Sequence, residues 1–97
     1  MSDQENQKLV VMFDAPGASR ESYVQLIEAL VADGLENPPG RLSHICCAKG
    51  DGWLVVDVWE SAELLNQFAQ TTAPTFQRLG MALAVPQIYP LLGMIKG

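Results

Sequence analysis

Lys49-Gly50-Asp51-Gly52-Trp53-Leu54-Val55-Val56-Asp57-Val58-Trp59-Glu60-Ser61 is the stretch on which the fold is decided. Valine and tryptophan dominate its middle, the composition of a β-strand. Gly50-Asp51 is suited to the two central positions of a tight hairpin loop. Ser61 at the far end is a good helix N-cap, with Glu63 in the first turn where the helix dipole favours an anion. The stretch is therefore a strand entered through a hairpin and left through a helix. Side chains alternate across a strand, so Trp53, Val55, Asp57 and Trp59 share one face and Leu54, Val56 and Val58 the other.

Working back from the hairpin, Arg41–Lys49 is the partner strand. With Lys49 opposite Gly52, the register pairs Ala48 with Trp53, Cys46 with Val55, His44 with Asp57 and Leu42 with Trp59. Asn37-Pro38-Pro39-Gly40 before it is a rigid turn. Upstream, Ser19 caps a helix whose Tyr23, Leu26, Ile27, Leu30 and Val31 form one apolar stripe, closed by Gly34. Lys8–Asp14 is a first strand, stopped at Ala15-Pro16-Gly17. Residues 1–7 are polar and read as a flexible tail.

Working forward, Leu64, Leu65, Phe68 and Ala69 form the stripe of the second helix. Pro74 interrupts or restarts it, Phe76, Leu79 and Leu83 extend it, and Pro86 ends it. Gln87–Ile95 is a last strand, and Pro90 within it demands a sheet edge. The order β-α-β-β-α-β predicts one ferredoxin-like α+β domain over residues 8–97. It has a four-stranded antiparallel sheet in the order four-one-three-two, with both helices on one face.

Composition narrows the function classes. Of 97 residues, 48% are hydrophobic and 18% charged, with six cations against eleven carboxylates for a net charge of −5. Scattered cations on an acidic chain give no footprint for a nucleic acid or an anionic membrane surface. No apolar run approaches the ~20 residues of a membrane helix, and the polar start lacks the pattern of a signal peptide. Cys46 and Cys47 are adjacent and point to opposite faces of a strand, so they read as free thiols of a cytoplasmic protein.

Two helices cover only one sheet face, and the other should be polar in a monomer. Here Leu54, Val56, Val58, Ile45 and Cys47, and one side of the first strand, leave both faces largely apolar. A homodimer that buries the uncovered face against its twin resolves this.

The residues with chemical potential converge on the mixed face. The register sets His44, the one histidine, beside the strand-interior Asp57, with Trp53 and Trp59 flanking them. With this face toward the helices, Tyr23, Phe68 and Phe76 line the space opposite. One reading is a pocket for a flat apolar ligand, in which His44 binds or moves a proton and Asp57 fixes its tautomer. The other is that His44 and Asp57 satisfy each other in a half-buried sheet and the tryptophans are core. No spaced metal motif accompanies His44, Cys46 and Asp57, a strand cysteine is a poor nucleophile when buried, and no glycine-rich phosphate loop occurs. Neither metal nor organic cofactor is expected.

Three runs also resemble a known family: Pro39-Gly40-Arg41-Leu42-Ser43-His44, Gly52-Trp53 through Asp57-Val58-Trp59-Glu60-Ser61, and Gln87-Ile88-Tyr89-Pro90. Over about residues 8–95 the chain is similar to the dimeric α/β-barrel superfamily, and more narrowly to small bacterial proteins related to antibiotic biosynthesis monooxygenases. The resemblance implies two sheets forming a shared barrel with helices outside, and a ligand between the sheet and helices of each subunit. It also implies a cofactor-independent oxidation of an aromatic or polycyclic compound, with Tyr89 available to the pocket. The alternative is a non-catalytic dimeric module that binds a ligand or a protein. The haem-degrading branch places a histidine on the second helix, and none lies between Ser61 and Val85.

Overall fold

The computed structural model describes residues 7–81 and 85–97. Its elements run β1 (Leu9–Ala15), α1 (Arg20–Ala32), β2 (Arg41–Lys49), β3 (Gly52–Trp59), α2 (Ala62–Arg78) and β4 (Gln87–Pro90). The strands form one sheet in the order β2-β3-β1-β4, and every pairing is antiparallel. This is the expected ferredoxin-like arrangement, with β4 and its Pro90 at an edge. Of the expected tail, residues 1–6 lie outside the described residues; Gln7 is tied to the fold by a side-chain bond to the Leu91 carbonyl at 3.2 Å.

The local signals work as chemistry predicts. Ser19 Oγ accepts from the Ser22 amide at 3.1 Å, and Ser61 Oγ accepts from the Leu64 amide at 3.2 Å. Each supplies a partner for one of the amides that a helix start leaves free. Gly52 lies so close to β1 that a Cβ there would overlap the Ala15 carbonyl oxygen. The Gly17 amide donates to Asp51 Oδ1 at 3.1 Å, which pins the hairpin tip against the end of β1.

The core forms two clusters between sheet and helices. Leu26 and Leu30 of α1 pack with Trp53 and Val55, bordered by Tyr23 and Phe76; Val11, Trp59 and Leu65 form the second, bordered by Leu64 and Phe68. The tryptophan face of β3 therefore looks toward the helices. The opposite sheet face carries Val10, Met12, Leu54, Val56, Val58 and Ile45, and among the described residues no helix packs on it.

Four expectations are corrected. Leu42 does not pair with Trp59: a bulge between Arg41 and Ser43 sets Arg41 opposite Trp59 and leaves Leu42 exposed, since one extra residue on one strand breaks the alternation. Pro74 does not break α2, which runs through it; Pro74 and Gln70 are both exposed, so water reaches the carbonyl that the proline cannot serve. The helix stops at Arg78, short of Pro86, because Gly80 takes a positive φ of 69° that turns the chain out; Leu83 lies outside the described residues. The last strand ends at Pro90, short of Ile95, with one further backbone bond from Leu91 to the Lys8 carbonyl at 2.8 Å. The helical stripes also differ in detail. Val31 and Ala69 are exposed, while Thr72 and Thr75 are buried.

Candidate functional site

The hairpin register places His44 directly opposite Asp57. His44 Nδ1 lies 2.6 Å from Asp57 Oδ1, and the Trp59 indole N–H donates to Asp57 Oδ2 at 3.4 Å. Asp57 is 3% exposed. A carboxylate only accepts, so with a donor on each oxygen, the Nδ1 proton belongs to His44. In the neutral imidazole this leaves Nε2 with a free lone pair. Tyr23 fills that position: its hydroxyl lies 2.7 Å from His44 Nε2, as donor to the neutral imidazole. The result is one directed chain, Tyr23 O–H to His44, His44 N–H to Asp57, with Trp59 bracing the far end.

The surrounding aromatic rings are held in place. The Trp53 indole N–H reaches the Ser19 carbonyl and Ser22 Oγ, both at 3.2 Å, so the first turn of α1 fixes the ring. Tyr23 stands edge-on to Trp53 at 5.5 Å between centroids and nearly parallel to His44, at 10° and 6.0 Å. Burial pushes the Tyr23 phenol above its usual range; Cys46 and Asp57 add to this, and Arg41 opposes it. Phe68 tilts against Trp59 at 5.2 Å, and the Arg41 guanidinium sits 5.9 Å above the Phe68 ring, a cation–π arrangement. Burial also pushes the Cys46 thiol up, with Cys47 adding to it.

The expected site residues thus divide. Tyr23, His44, Trp53, Asp57 and Trp59 form one connected group, Phe76 borders the Trp53 cluster, and Phe68 stands behind Trp59. Tyr89 does not join them: it pairs with Val10, on the helix-free face. A cleft of about 170 Å³ opens between the α1–β2 connection and α2. Gly34, Leu35, Asn37, Pro38, Pro39, Leu64, Gln67, Phe68 and Thr71 line it. It reaches Phe68 but not His44 or Asp57; at His44 the Tyr23 hydroxyl holds Nε2.

Sequence reasoning missed Arg41, the anchoring pair Ser19 and Ser22, and this cleft. The signals were present. Gln67 and Thr71 stand four apart beside Leu64 and Phe68 on one helix face, opposite the Asn37-Pro38-Pro39-Gly40 turn. Among the described residues no three histidine, cysteine or carboxylate side chains converge on one point, and no helix is long and apolar enough to cross a membrane.

No protein-family model and no curated protein matches the chain. Solved structures do match its fold. A proposed monooxygenase of Shewanella loihica is 24% identical at a TM-score of 0.58, covering 91% of this chain and 97% of that one. A monooxygenase from the gene ActVA-Orf6 of Streptomyces coelicolor, in complex with nanaomycin D, is 22% identical at 0.55, covering 99% and 96%. SnoaB of Streptomyces nogalater, a cofactor-independent oxygenase, is 14% identical at 0.50, covering 92% and 93%. The chain shares its fold with these proteins.

Proposed function

We propose that the chain is a small-molecule enzyme that removes a proton from a hydroxylated or enolisable aromatic compound and lets molecular oxygen react with the resulting anion, without metal or flavin. The observation that carries this is the directed chain through His44. Asp57 fixes the imidazole so that Nε2 faces the helix layer as an acceptor, and a phenol already sits on it at 2.7 Å. A substrate hydroxyl in that place would find a base with the correct tautomer, the arrangement general-base catalysis requires.

Anthrone illustrates the balance. Loss of one proton to His44 gives a delocalised anion. Oxygen adds to its central carbon to give a peroxide, which takes up the proton and eliminates water, so anthrone and O₂ yield anthraquinone and H₂O. The ligand in the Streptomyces coelicolor structure and the description of SnoaB favour a polycyclic substrate and oxygen chemistry. The site is proposed to act within a homodimer, whose contact is the helix-free face of Val10, Met12, Ile45, Leu54, Val56 and Val58. Adjacent free thiols fit a reducing, cytoplasmic setting.

The test is oxygen uptake and anthraquinone formation with anthrone. The parent protein is expected to exceed the uncatalysed rate, and His44→Ala to fall by about 10²–10⁴-fold, the usual worth of a general base. Equal rates in the folded variant would remove His44 from the mechanism. One observation favours the second reading, a non-catalytic dimeric module: the cleft beside Phe68 is not lined by His44 or Asp57.

A further inference from the structure

We propose that Tyr23 gates this site: its phenol occupies the acceptor that a ligand hydroxyl takes, so binding requires Tyr23 to leave His44. The inference rests on the reading of His44 as the ligand-facing base.

An imidazole nitrogen of this kind has one lone pair in the ring plane. Tyr23 and a ligand hydroxyl cannot both hold it at 2.7 Å, so they compete. The volume is contested too. The cleft stops at Phe68, with Trp59 behind it, and beside His44 the slot between α1 and the sheet holds the Tyr23 ring, flanked by His44 and by Trp53. That slot already has the shape of a flat hydroxylated ring.

The bonding shows which member moves. His44 is held by Asp57, Trp59 by the same carboxylate, and Trp53 by Ser19 and Ser22. Tyr23 is only half-buried, and among the described residues its hydroxyl makes one bond, to Nε2. That bond is the cheapest of the set to exchange, because a ligand hydroxyl restores it to His44 while water takes the released phenol. The gate also selects. A ring without a hydroxyl offers His44 nothing in return and leaves its acceptor unpaired.

Isothermal titration with 1-naphthol and with naphthalene, on the parent, Tyr23→Phe and His44→Ala, tests this. Tyr23→Phe keeps the ring and deletes the competing donor. It should bind 1-naphthol and naphthalene alike about five- to ten-fold tighter than the parent, the worth of one hydrogen bond that no longer has to be broken, with 1-naphthol the tighter ligand of both proteins. Equal or weaker 1-naphthol binding by Tyr23→Phe, with binding lost in His44→Ala, refutes the gate while His44 remains the ligand contact. Undiminished binding by His44→Ala refutes the underlying site reading, and the gate with it.

Discussion

Replacing Asp57 by asparagine is the sharpest perturbation of the buried chain. Asp57 is 3% exposed, and both its oxygens receive donors, from His44 at 2.6 Å and Trp59 at 3.4 Å. An asparagine offers one acceptor and one NH₂ group. If its oxygen keeps His44, its NH₂ faces the Trp59 N–H, donor against donor. If its oxygen keeps Trp59, its NH₂ faces His44, the imidazole proton must move to Nε2, and Tyr23 must turn from donor to acceptor. Either way a charge-assisted bond becomes a neutral one, a loss of about 1–2 kcal/mol. At about 4–8 °C per kcal/mol for a domain of this size, the melting temperature should fall by roughly 5–15 °C. Thermal unfolding measures the first effect, and the nitrogen chemical shifts of His44 report the second. A variant as stable as the parent, with the proton still on Nδ1, would refute the reasoning, because the carboxylate would then be fixing nothing.

Other predictions follow the same physics. The Thr75 hydroxyl and Arg78 hold the Asp33 carboxyl below its usual value of 3.8, so the stability that the ionised carboxyl contributes is complete above that pH and drains away as pH falls through the lowered value. Asp33→Asn should accordingly melt below the parent at neutral pH, and the gap should close in acid. The Tyr23 phenol is raised above 10.0, so its contribution persists below pH 10 and is lost as pH climbs through the raised value; subtracting the ultraviolet titration of Tyr23→Phe from that of the parent should reveal a late-ionising phenol. Burial and Cys47 raise the Cys46 thiol, so it should alkylate slowly at every protein concentration. Cys47 lies on the helix-free face and should react fast when dilute and become protected as dimers form. Gly52→Ala forces a Cβ onto the Ala15 carbonyl and should destabilise by about 1–3 kcal/mol in denaturant unfolding, as other steric misfits do.

What was legible in the sequence was whatever depended on alternation and on short-range chemistry. Trp53, Asp57 and Trp59 fall on one face because they are two and four residues apart, and the Gly50-Asp51 loop sets His44 opposite Asp57 by counting. Ser19 and Ser61 cap because a hydroxyl beside free amides has little else to bond. The bulge at Leu42 was not legible, since one extra residue leaves no mark on composition yet moves Arg41 opposite Trp59. The burial of Thr72 and Thr75 was hidden for a different reason. Their hydroxyls are satisfied by the Phe68 carbonyl at 2.8 Å and Asp33 at 2.6 Å, partners that only the folded helices supply. The Tyr23 bond also needed the fold. Periodicity put Tyr23 on the inner stripe of α1, but the packing of α1 against the sheet decides that its hydroxyl meets His44.

The central claim is that His44 accepts a proton from a bound ligand, and its most direct test separates that step from oxygen. Anthrone exchanges the hydrogens of its central methylene through its anion. In deuterated buffer without oxygen, proton spectroscopy follows that exchange. The account predicts that the parent protein speeds exchange well above the buffer rate and that folded His44→Ala does not. Exchange at the buffer rate with the parent, or equal acceleration by His44→Ala, would contradict it.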